Sequence, residues 1–178
     1  MRWTKKAVVQ YGVVLLAALA VMACGDDPMA PDNAGRLTIR LTDAPVDEIR
    51  AVNVYIEGLK VKRAGSPEQD FAVDVGRVDL LTLTDSSILL ATHAVEAGEY
   101  EYIMVELDET RSSIAIDFLD MSLRIPSEKI KVLGSFQVTE DGTTTVTLDF
   151  DARQSVQQLG NGAWLMTPII VMAEVQGS

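Results

Sequence analysis

At 178 residues, with 26 acidic side chains against 15 basic ones and a formal charge of −11, the chain has room for one domain with a sizeable core. So acidic a surface repels phosphate backbones, which argues against nucleic acid as a partner. One cysteine and one histidine rule out a disulfide framework and are too few for a zinc centre.

The first 23 residues read as a secretory signal. Arg2, Lys5 and Lys6 form the cationic flank, Val13 to Ala23 the apolar core, and Ala23 is the small residue before Cys24. A membrane span would need about 20 consecutive apolar residues. Here Gln10, Tyr11 and Gly12 interrupt the stretch, and Asp26-Asp27-Pro28 closes it. Val21-Met22-Ala23-Cys24 resembles a bacterial lipobox, which implies that Cys24 is lipidated and heads the mature chain. Stable anchoring takes more than one acyl chain, and a diacylglyceryl cysteine with an acylated amine supplies it. Gly25, not Asp, follows the cysteine, so the expected location is the cell envelope, at the outer membrane if the host is Gram-negative. Cleavage removes three basic side chains and no acidic ones, leaving 12 against 26 and a formal charge of −14. An anionic leaflet would not attract such a domain, which leaves the lipid as its membrane contact.

Residues 24–35 are the lipidated end and a polar tether rich in Pro, Gly and Asp, and residues 36–176 are the domain. Period-two alternation then dominates, the mark of half-buried strands. Leu37, Ile39 and Leu41 alternate with Arg36, Thr38, Arg40 and Thr42; Val52, Val54 and Ile56 follow, with a bulge expected at Gly58 before Leu59 and Val61. Further strands are predicted at Phe71–Val75, Tyr100–Leu107, Ser113–Phe118, Met121–Ile125, Val132–Thr139, Thr143–Phe150 and Ala163–Val175. Glu140-Asp141-Gly142 and Leu159-Gly160-Asn161-Gly162 carry residues that tolerate positive φ and predict hairpins. Ser86–Val95 is the one segment that reads as a helical turn or two. The near-continuous run Leu165–Met172 predicts a central strand covered on both faces, with Pro168 at a bulge or an edge. Many short strands predict an all-β fold, a single antiparallel β-sandwich of about 8–10 strands with Greek-key, transthyretin-like or immunoglobulin-like connections.

Six phrases stand in order along the chain: Leu41-Thr42-Asp43-Ala44-Pro45-Val46-Asp47, Val78-Asp79-Leu80-Leu81, Ala97-Gly98-Glu99-Tyr100, Ile125-Pro126-Ser127, Leu148-Asp149-Phe150-Asp151-Ala152 with Ser155-Val156, and Pro168-Ile169-Ile170-Val171. Together they resemble an exported, often lipid-anchored family of bacteria and archaea known as domain of unknown function 4382. The resemblance spans about residues 35–174 and implies a β-domain with no established activity. Ala97-Gly98-Glu99-Tyr100 is also similar to the Gly-x-Tyr element of transthyretin-like sandwiches.

Candidate chemistry is sparse. Asp43, Asp47, Asp149 and Asp151 offer oxygen ligands for a structural calcium ion, the one candidate cofactor, against the plainer reading of Asx-turns and capped loops. His93 is the sole histidine, no Gly-x-Ser-x-Gly elbow is present, and Ser127 and Ser155 lack activating neighbours, so no catalytic residues are expected and a hydrolase is the third reading. Tyr100, Tyr102 and Trp164 are the aromatic candidates for binding a glycan or a protein. The expected function is a lipid-anchored envelope protein with a non-catalytic sandwich that binds a protein or glycan or serves a structural role, and the alternative is a calcium-stabilised adhesion domain.

Overall fold

The computed structural model describes residues 31–43, 49–73, 75–84 and 86–178. The predicted signal segment, Cys24, most of the tether and Asp47 lie outside the described residues. In chain order the strands are β1 (Ala34–Asp43), β2 (Ala51–Arg63), β3 (Glu68–Phe71), β4 (Arg77–Asp79), β5 (Ile88–Glu96), β6 (Gly98–Leu107), β7 (Ser113–Ile116), β8 (Leu119–Arg124), β9 (Lys129–Val138) and β10 (Thr143–Phe150). A single helical turn, α1 (Ala152–Ser155), precedes β11 (Val156–Gln158), β12 (Trp164–Met166) and β13 (Ile170–Gly177). Two 3-10 turns, Leu80–Leu83 and Glu109–Arg111, complete the described elements.

The strands form two sheets in a sandwich-like all-β fold. One has four strands in the order β13-β10-β1-β5; the other has nine, running β11-β12-β8-β7-β2-β6-β9 with β3 and β4 also paired to β2. The alternation in the sequence sets the inward faces. Leu37, Ile39 and Leu41 of β1 and Val146 and Leu148 of β10 are fully buried, in one cluster with Val52, Val54, Ile56, Leu59 and Val61 of β2. Burial of each such side chain is worth about 1.5–3 kcal/mol. β2 shifts register against β6 between Ile56 and Gly58, at the expected bulge.

Four features differ from the sequence expectation. The described strands number thirteen, and the sheets are mixed, since β1 pairs with β10 and β8 with β12 in parallel. Parallel pairing needs a crossover, which the long chain between β1 and β10 provides. Second, Ser86–Val95 is not helical. It supplies β5, antiparallel to β1, where Ile39 faces Ala91 and Arg40 faces Leu89. Leu90 is thus the extra residue of a bulge, and Leu90 and Ala91 are both buried, so the apolar spacing drifts from two and mimics a helix.

Third, Ala163–Val175 is not one central strand. β12 belongs to the larger sheet and β13 to the edge of the smaller, and Pro168 lies where the chain changes sheets. Met166 and Ile170 are buried, whereas Val171 is 52% and Val175 43% exposed. Fourth, Glu140-Asp141-Gly142 does not close a hairpin: it passes the chain from β9 in one sheet to β10 in the other, with Asp141 at φ 57°. Leu159–Gly162 does close one, with β11 and β12 in register from Val156–Met166 to Gln158–Trp164.

Among the described residues no helix is long and apolar enough to cross a membrane.

Candidate functional site

The acidic candidates come together as structure. Asp43 ends β1 opposite Phe150 and is 3% exposed; its Oδ1 accepts the backbone N–H of Ala152 at 2.8 Å. Asp151 caps α1, its Oδ1 accepting from the N–H of Gln154 at 2.8 Å. Ser155, 2% exposed, gives its hydroxyl to the Asp151 carbonyl and accepts the N–H of Ile169 at 2.9 Å, while its own carbonyl accepts the N–H of Thr167 at 2.8 Å. The Ile169 carbonyl in turn accepts from Asp151 N–H at 3.0 Å. This buried knot ties the end of β1, the end of β10, α1 and the segment that changes sheets at Pro168.

Asp149 lies outside the knot, half-buried on β10; burial, with the charge of Asp151 second, holds its carboxyl above the ordinary carboxylate range. Among the described residues no three His, Cys, Asp or Glu side chains are placed to hold a metal ion. Asp43 and Asp151 engage backbone amides as caps.

The aromatic candidates do not form a platform. Tyr100 is 1% exposed, stacked on Phe136 with centroids 5.3 Å apart, and its hydroxyl donates to the Glu96 carbonyl at 2.8 Å. Parity along an ideal strand puts Tyr100 and Tyr102 on one face. In β6, however, Arg63 of β2 faces Tyr100 and Lys62 faces Tyr102, so Glu101 is an extra, bulged residue and Tyr102 turns outward. There Lys131 sits 4.1 Å from its ring centroid and Glu68 accepts its hydroxyl. Trp164 is on β12, which joins the sheet through β8 and β7 at the opposite end of β2.

Two clefts bear on binding. The first, about 400 Å³, lies between the β2–β3 and β5–β6 turns and is lined by Arg63, Glu68, Gln69, Glu96 and Tyr100. Its guanidinium is already committed: Arg63 donates to the Ala97 carbonyl at 3.3 Å and to Ser66 Oγ at 3.0 Å, and pairs with Glu96 at 2.8 Å. Gly98, at φ 145°, lies beneath it, and a Cβ there would stand 2.8 Å from Arg63 Nε. Arg63 therefore braces two turns together, which gives the Ala97-Gly98-Glu99-Tyr100 phrase an architectural role.

The second cleft, about 340 Å³ and half open, is lined by Glu109, Thr110, Ser112, Ser122, Arg124 and Trp164. The 3-10 turn after β6 starts at Asp108, whose carboxylate caps the N–H groups of Thr110 and Arg111 and is held down at about 2 by hydrogen bonds from Thr110 and Arg111. Glu109 Oε2 accepts the N–H of Ile125 at 2.8 Å, which docks the turn on the end of β8. Beside it Trp164 pairs in register with Leu123, flanked by Ser122 and Arg124. The indole Nε1 is shut off from solvent without a hydrogen-bond partner. The Ser122 hydroxyl and Arg124 guanidinium are exposed beside it. Sequence reasoning singled out Trp164 but not Glu109, Ser122 or Arg124, because the parallel β8–β12 pairing that joins them leaves no local pattern.

His93 Nε2 lies 3.2 Å from the Ala72 carbonyl, and its ring packs 4.4 Å from that of Phe71. Ser155 is locked in the knot on α1.

The model of a family described as Domain of unknown function (DUF4382) matches residues 34–168. No curated protein and no solved structure matches the chain. The match takes in β1 through the Pro168 crossing, and the chain belongs to the DUF4382 family.

Proposed function

We propose that the protein is a lipid-anchored cell-envelope component whose β-sandwich is a non-catalytic binding module for a glycan or a protein. Anchoring rests on the cationic and apolar run before Cys24 and on the small residue at position 23. The Asn33 carbonyl, at the tether's end, accepts the N–H of Ala97 at 2.9 Å beside the first pair of β1 and β5, so the chain enters the domain at the start of β1, an interior strand between β5 and β10. Binding rests above all on the second cleft, where the half-buried Trp164 indole stands beside the exposed Ser122 hydroxyl and Arg124 guanidinium. The non-catalytic reading is supported by the backbone commitments of His93 and Ser155.

Metabolic labelling with palmitate should tag the wild-type chain and not Cys24→Ser; equal labelling would overturn the anchor. A pulldown from intact membranes should retain a specific partner on the anchored protein. Turnover of generic ester or glycoside substrates by the purified protein would overturn the non-catalytic reading.

A further inference from the structure

The geometry points to a neutral sugar unit as the ligand of the cleft formed by Glu109, Ser122, Arg124 and Trp164, an assignment that rests on the binding-module reading. Three properties of the cleft select this chemistry. Its volume, about 340 Å³, sits at the small end of ligand sites and suits one or two pyranose rings, not a folded partner. Its walls carry both an apolar surface, from the half-buried Trp164 indole, and exposed polar groups, the Ser122 hydroxyl and the Arg124 guanidinium. A pyranose presents the complement, an apolar C–H face and hydroxyls that both donate and accept.

Charge supplies the third selection. One carboxylate, Glu109, and one guanidinium, Arg124, line the cleft and make no ion pair with each other. Their charges cancel, so an anionic or cationic ligand gains no net attraction, while a polyol can accept from Arg124 and donate to Glu109. Glu109 Oε2 is engaged by Ile125 N–H, which leaves Oε1 as the acceptor and fixes its position. The exposed Ser122 hydroxyl supplies a further polar group. The Arg63 cleft lacks this property, because its guanidinium is already bound on three sides.

The fluorescence of Trp164 reports on the site directly, as Trp3, the second tryptophan of the chain, precedes Cys24 and lies far from the cleft in sequence. The full chain is titrated with cellotetraose, maltotetraose and chitotetraose, and binding is measured in parallel by calorimetry. The expected result is a saturable change in emission with at least one of the three. Ser122→Ala should weaken it about five-fold, the size of one neutral hydrogen bond, and Arg124→Ala by more. Both residues are exposed on β8, so these variants keep the fold. Trp164→Phe should abolish the emission change and, read by calorimetry, weaken binding. No response to any of the three sugars, or a response that Ser122→Ala and Arg124→Ala leave unchanged, overturns the sugar assignment. A membrane partner still retained by the Arg124→Ala protein in the pulldown would leave the module reading standing while this site falls.

Discussion

Replacing Asp43 by Ala tests whether the acidic phrases build the fold or hold an ion. Asp43 is 3% exposed and Ala152, whose N–H it accepts at 2.8 Å, is fully buried. Removing the carboxylate deletes a hydrogen bond to a charged acceptor, worth about 1.5–3 kcal/mol, and strands a buried N–H where no water reaches it. These terms overlap, so the expected loss is about 2–3 kcal/mol. For a domain of this size that is a fall in Tm of about 8–12 °C. With a urea m-value of about 2 kcal/mol/M, the midpoint should move down by about 1–1.5 M. Urea unfolding followed by Trp164 fluorescence measures it. Asp43→Asn keeps an acceptor oxygen and should lose only about 1 kcal/mol. A calcium ligand would behave otherwise: Asn would be as damaging as Ala, and the wild-type Tm would drop with chelator. A loss below about 0.5 kcal/mol in Asp43→Ala, or a Tm that follows calcium, refutes the capping argument.

Local geometry sets the outcome of two other substitutions. A Cβ on Gly35 would stand 2.3 Å from the Thr139 carbonyl oxygen and 2.6 Å from Val138 Cγ1, so Gly35→Ala should cost about 1–3 kcal/mol through overpacking; Gly160, with nothing within 4 Å, is the control and should change by less than about 0.5 kcal/mol. Thermal melts of the two variants check the pair, and equal melts would refute the close approach. Asp149 holds its proton more tightly folded than unfolded, because burial and then Asp151 raise its pKa above 3.8. Its contribution therefore favours the fold below the unfolded pKa and is lost as pH rises through the folded value. Asp149→Asn, which cannot ionise, should raise Tm at pH 7 and lose that advantage by about pH 3. A gain that persists at about pH 3 would show that its cause is not ionisation.

The alternating segments were legible because one face of each strand is buried and the extra residue of each bulge lies in the partner strand: β1 and β10 read directly, as did the Gly58 bulge and the turn at Leu159–Gly162. Bulges elsewhere were not legible. Leu90 adds one residue to β5 and Glu101 one to β6, and each reverses the inward–outward parity of the residues beyond it. The first reversal disguised a strand as a helical turn; the second separated Tyr100 from Tyr102. Changes of sheet were hidden for a different reason. Pro168 and Glu140–Gly142 carry ordinary turn chemistry, and turn residues do not state whether the next strand returns beside the last or crosses to the other layer. The cleft suffered most, since its walls come from three stretches of chain brought together by the β7–β8 pair, the parallel β8–β12 pair and the docking of Glu109 on Ile125.

The family phrases gain a physical meaning from these contacts. Asp43 from the first, Asp151, Ala152 and Ser155 from the fifth, and Ile169 from the last meet in one knot, although Asp43 and Ala152 are 109 residues apart. Asp79 of the second caps its 3-10 turn through Leu81 N–H and also accepts the N–H of Val52 at 3.1 Å, which holds the turn against β2. Gly98 of the third makes room for Arg63. These phrases therefore lie where the chain turns, changes sheets or closes a non-local pair, places at which a wrong residue leaves a buried backbone group unpaired. Ser122, Arg124 and Trp164 lie outside every phrase. Ser122 and Arg124, exposed on β8, can vary with little cost to the sandwich, whereas Glu109, which holds Ile125 N–H, and Trp164, which packs against the core, serve the fold as well.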